Sequence, residues 1–88
     1  MDASLHLQRV VVQTDSHYSY VGTLTDVNDG WLTLTDVVTI DRHETRLSID
    51  EVLVECLQDH HQPNRKRLMI PRTRLVSISL LSDVIAPG

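Results

Sequence analysis

The chain reads as a mainly β domain, a strongly bent five-stranded barrel with a short N-terminal helix and a second helix inserted between strands three and four. Three observations carry this reading. Val21 to Ile40 alternates at strand period around Asn28-Asp29-Gly30, Gly22 interrupts the first of these two strands, and Ile49 to Gln58 switches to a period near 3.6. In the hairpin, Val21, Thr23, Thr25 and Val27 fall on one face and Gly22, Leu24 and Asp26 on the other; Trp31, Thr33 and Thr35 then alternate with Leu32, Leu34 and Asp36. The connecting glycine tolerates positive φ and the Asn and Asp side chains can bond their own backbone, which predicts a tight turn.

Each remaining element follows from local chemistry. Asp2 caps a turn or two of helix through Gln8, and Arg9 to Thr14, RVVVQT, is a β-branched first strand ended by Asp15-Ser16-His17. Strand two runs from Tyr18 to Asn28; a glycine at position 22 weakens pairing but allows a sharp bend or the close approach of another backbone. Ile49, Val52, Leu53, Cys56 and Leu57 then make one apolar helical stripe, Ser48 and Glu51 form a capping box, and Asp59 to Asn64, with Pro63, ends the helix. Val52, Val54 and Cys56 also alternate, so a strand is the competing reading; the cap and the length favour helix. Arg67 to Ile70 and Leu75 to Leu80 are the last strands, with Ile70 to Arg74 as the corner between them, and Ala86-Pro87-Gly88 is a frayed tail.

Composition narrows the function classes. Eighty-eight residues make one domain, 1–88, small enough for self-association to add to stability, and a core without Phe must rest on Val, Leu and Ile. A single cysteine, Cys56, excludes an internal disulfide framework and a cysteine-rich zinc site. No apolar run is long enough for a membrane helix, and the N-terminus lacks the pattern of a signal peptide, so the expectation is a cytoplasmic protein without membrane partners. The net charge of −4 conceals a local excess: Arg65, Lys66, Arg67, Arg72 and Arg74 are five of the eight basic residues, in a stretch without acids. Read as lying on two adjacent strands, they offer a basic stripe to phosphates; a solvated charge run is the plainer alternative.

These motifs resemble the Sm/LSm family, bacterial members included, over roughly Arg9 to Val38 and Leu68 to Leu80. RVVVQT, GTLTDV and WLTLTDV are similar to its first signature, with Gly22, Leu24 and Val27 at the family's spacing in the bent strand, and LMIPRTRLVSI is similar to its second. The resemblance implies a ring of five to seven copies, in which Arg67 to Ile70 of one subunit pairs with Leu75 to Leu80 of the next, and it implies binding of single-stranded RNA. Asn28 stands where the family's aspartate is expected, Trp31 falls near its asparagine, and Pro71 and Arg72 replace its later arginine and glycine.

The expected nucleic-acid-binding residues are therefore Asn28, Trp31, Arg65, Lys66, Arg67, Arg72 and Arg74, with the arginines and lysine on phosphates and Trp31 either stacking a base or covering one end of the core. Tyr18 and Tyr20 share a strand face, a pattern commoner in cross-strand packing or subunit contacts than in binding platforms. The alternative function is a non-catalytic protein-interaction or structural ring module that has lost RNA. No enzyme, metal or cofactor is expected: Cys56 lies on the apolar stripe, no serine sits in a nucleophile elbow, and the five histidines lack metal-ligand spacing.

Overall fold

A computed structural model describes residues 3–85; Asp2, the expected helix cap, and the tail from Ala86 lie outside them. Five strands, β1 (Arg9–Thr14), β2 (Tyr18–Val27), β3 (Trp31–Asp41), β4 (Arg65–Pro71) and β5 (Leu75–Leu80), form one antiparallel sheet in the order β4-β3-β2-β1-β5, and the helix α1 (Ile49–Leu57) lies between β3 and β4 in sequence. The expected N-terminal helix is only a single 3-10 turn, Ala3–Leu5. Its following residues are held to β2 instead, Leu7 N–H donating to the Leu24 carbonyl and Leu24 N–H to that of Gln8, while Leu5 packs against the inner core.

The expected closed barrel is not formed. β4 and β5 are the two edges of the sheet and do not pair with each other, so Arg65–Arg67 and Arg74 are not on adjacent strands either. The sheet is nevertheless strongly curled. Leu68 and Ile70 of β4 share one apolar cluster with Leu75, Ile78 and Leu80 of β5, although four strand spacings would hold them ~19 Å apart in a flat sheet. That inner cluster is built on Val10, Val12, Leu24, Leu32, Leu34 and Val37; a second cluster, on the outer face, unites Val11, Val21, Val38 and Ile40 with Val52, Leu53 and Cys56 of α1.

The curl originates where Gly22 faces β3. Between Val21 and Thr23 the register shifts, and the extra residue on β3 is Asp36 at φ 49°. A Cβ on Gly22 would lie 3.1 Å from Leu34 Cβ and 3.2 Å from the Thr35 carbonyl oxygen, so close approach, not conformational freedom, makes this position glycine. A bulge bends its strand and increases its twist. It also changes parity: Asp36 does not join Leu32 and Leu34 inside; Val37 does. A second shift between Leu24 and Asp26 turns Val27 toward the inner cluster, away from the face of Val21. Arg9 closes over the first bulge, its Nη1 donating to the Asp36 carbonyl at 2.6 Å.

α1 begins as its sequence dictates, with Ser48 Oγ accepting the Glu51 N–H at 3.2 Å and itself bonding the Glu51 carboxylate. It ends earlier than Pro63 requires. Asp59 takes φ 64°, and the N–H groups of Asp59 and His60 return to the carbonyls of Cys56 and Glu55, a Schellman closure with aspartate in the place usually given to glycine.

Candidate nucleic-acid interface

The turn between β2 and β3 is tied by Asn28. Its Oδ1 accepts the N–H groups of both Gly30 and Trp31 at 2.9 Å, and Asn28 N–H donates to the Trp31 carbonyl at 3.0 Å. The expected left-handed glycine is absent here, because Gly30 does not have positive φ; the Asn side chain supplies the hydrogen bonds that a hairpin turn would otherwise make with its backbone. The β4–β5 corner docks onto this turn: Arg72 N–H donates to the Gly30 carbonyl at 2.9 Å and Arg72 Nη1 to the Asn28 carbonyl at 3.0 Å. Three of the residues selected from sequence, Asn28, Trp31 and Arg72, are thus brought together, and Arg72 acts partly as a brace.

Pairing of β3 with β4 places the others. Trp31 opposes Pro71, Thr33 opposes Met69 and Thr35 opposes Arg67, and directly opposed residues project on the same side of a sheet. Leu32, Leu34, Leu68 and Ile70 point into the inner core, so Trp31, Met69 and Arg67 stand on the outer face. Alternation turns Lys66 to the side opposite Arg67, and Arg65, farther from the turn, opposes the inner residue Val37 beyond the bulge. Trp31 is 43% exposed and Met69 47%, and α1 covers only the other half of this face. Arg74 is drawn away, 3.2 Å from the Asp15 carboxylate.

Two members of this surface were not singled out by sequence. Met69 reads there as part of an apolar strand, and its exposure becomes apparent only from the pairing of β4 as an edge. Alternation groups Asp26 with Leu24; the register shift and its pairing with Thr33 put its exposed carboxylate on the outer face beside the tryptophan end, where it opposes anions.

No family model matches the chain, and no curated protein matches it.

The rest of the molecule offers less to ligands. Among the described residues no three of His, Cys, Asp and Glu lie close enough to hold a metal ion, and no helix is long and apolar enough to cross a membrane. A cavity of 540 Å³ beneath the C-terminal end of α1 is lined by Arg9, Asp36, Cys56, Asp59 and His61 among others; cation and carboxylates there oppose each other. Burial pushes the Cys56 thiol up from its ordinary value, an effect that outweighs the nearby Arg9 cation, so the nucleophilic thiolate is disfavoured. Burial, with Tyr18 beside it, likewise raises Tyr20.

Proposed function

We propose that the chain is an Sm-like subunit that binds single-stranded nucleic acid, RNA foremost, along the outer face of β3 and β4. The observation that carries this reading is the alignment of the exposed Trp31, Met69 and Arg67 around the buried Thr33 on a sheet face that α1 leaves free, with Arg65 farther along β4 and Arg72 at the turn. An indole and a thioether accept the flat face of a base, and the guanidinium groups meet the phosphates that follow, which needs no particular sequence. Lys66 and Arg74 are secondary, the first by its side of β4 and the second by its ion pair.

Assembly belongs to the same proposal. The outer edge of β4 and that of β5 are free of partners among the described strands, and such edges invite pairing. Union of β4 with β5 of a second copy satisfies both in a closed homo-oligomer, of five to seven subunits by the resemblance, and repeating a weak site around it raises the effective concentration for each further contact. Native mass spectrometry that finds only a 10.0 kDa monomer at micromolar concentration rejects this part.

Fluorescence anisotropy with mixed-sequence oligonucleotides at low salt tests the binding. Affinity falls steeply with salt, Arg67→Ala lowers the salt slope by about one, and Trp31→Ala costs ~1–3 kcal/mol with little change in slope. Absence of binding to RNA and DNA at concentrations on the order of 100 μM, the weak end of non-specific association, rejects it. The second reading, a protein-interaction module, is favoured by the net charge of −4 and by Asp26 on the same face; it predicts that null result together with intact assembly.

A further inference from the structure

Four rings stand in a row at the end of β2 and β3 remote from Trp31. His43 lies 4.8 Å from His17 with 21° between the planes, His17 lies 4.3 Å from Tyr18 at 37°, and Tyr18 lies 6.4 Å from Tyr20 at 24°. His17, Tyr18 and Tyr20 are half-buried and His43 is exposed. His17, His43 and Tyr18 belong to neither apolar cluster, and Tyr20 only borders the inner one.

What orders the rings is a polar scaffold beneath them. The Arg42 guanidinium donates to the carbonyls of Ser16 and Tyr18 and, at 2.6 Å, to Oγ of the fully buried Ser19, while Arg42 N–H donates to the His17 carbonyl. His17 Nε2 is 3.8 Å from the Asp41 carboxylate, whose other oxygen accepts the backbone N–H of His43 at 3.0 Å. These contacts fix the backbone that carries the rings, and of the ring atoms only His17 Nε2 is itself reached, by the Asp41 carboxylate. Among the described residues His43 has a ring neighbour only in His17, and its side chain is exposed.

We infer that this row is a second stacking surface for nucleic acid, on which an unpaired base continues the stack over His43. The inference rests on the nucleic-acid reading above and extends it to the other end of the sheet. Charge does not drive it, since Asp41 lies against His17 beside the Arg42 cation; the attraction is that of π faces, which every base possesses. At ordinary strand rise β3 sets the row and Trp31 no more than roughly 30 Å apart, and because Tyr20 borders the inner cluster while Trp31 stands on the outer face, a strand engaging both passes around the end of the sheet. A strand engaging both therefore lies toward the upper part of the 4–16 nucleotides, roughly, that a small β module covers.

Anisotropy titrations of the full chain with single-stranded RNA of about 5 and about 15 mixed-sequence nucleotides test this. His43→Ala weakens the longer RNA about five-fold or more without altering its salt slope, and leaves the shorter one, held at Trp31, unchanged. His43→Trp restores the loss, and retained binding of the short RNA reports an intact fold. Unchanged affinity of His43→Ala for the long RNA, or a loss that His43→Trp does not restore, overturns the inference and leaves the rings as a packing or protein contact. In that outcome, weakening by Arg67→Ala shows that the primary site stands. If the unmodified protein binds neither length, both readings fall.

Discussion

One outer face of β3 has two fates. Val38 and Ile40 lie under α1 with Val52, Leu53 and Cys56; Trp31, Thr33 and Thr35, on the same face beyond the bulge, have no helix above them. The covered half is apolar and fixes the fold. The bare half presents an indole, a thioether and a guanidinium that the core does not require. Large exposed side chains beside ordinary packing on one strand mark the bare half as the place to look for binding, because exposure of Trp and Met in a short strand pair has no stabilising return.

Truncation on the covered half has the largest effect on stability. Ile40→Ala lowers it by about 2–5 kcal/mol in urea titrations, the usual cost of deleting a buried aliphatic chain; a change under about 1 kcal/mol means that α1 is not clamped on this half. At the boundary, Gly22→Ala drives a methyl against Leu34 Cβ and the Thr35 carbonyl. It costs about 1–3 kcal/mol, the range for overpacking, and an unchanged denaturation midpoint refutes the close approach.

Asp59→Gly acts in the other direction. Relief of a left-handed aspartate adds about 1 kcal/mol, read as a rise in melting temperature, and a fall shows that the Asp59 carboxylate does more than end the helix. Smallest of all, Met69→Ser on the bare half stays within about 0.5 kcal/mol of the unmodified protein. A large loss there erases the distinction between the two halves.

The legible parts of the fold were those set by local chemistry. RVVVQT, Ser48 with Glu51, and the helical stripe from Ile49 each specify an element by neighbours in sequence; β1 and β5 occupy the expected residues, and α1 starts as expected but stops at Leu57, one residue short. Alternation fails at the two register shifts, because one extra residue reverses every face beyond it; hence Asp36, Asp26 and Val27 lie on the sides opposite to those it predicts. Closure of the sheet depends on pairing between strands that are close in sequence but at opposite edges in space, which no local pattern records. In the candidate site, Trp31 and the basic residues were visible as residue types. Which of them share a face is not, since that depends on the β3–β4 register, which also exposes Met69, while the side of Asp26 depends on the β2–β3 register shift. The withdrawal of Arg74 to Asp15 joins residues far apart in sequence.

The bulge at Asp36 makes curvature a matter of counting. Gly22 alone spans the stretch of β2 that faces Asp36 and Val37 on β3, so a chain lacking position 36 keeps every inside and outside residue of that strand on its proper side. What it gives up is the kink, and with it the carbonyl that Arg9 grips. The shortened strand straightens, Leu68 and Ile70 swing away from Ile78 and Leu80, and the inner core opens along its length. A one-residue deletion at this point is therefore silent in the polarity pattern yet severe in shape, the reverse of what deletion from a regular strand does.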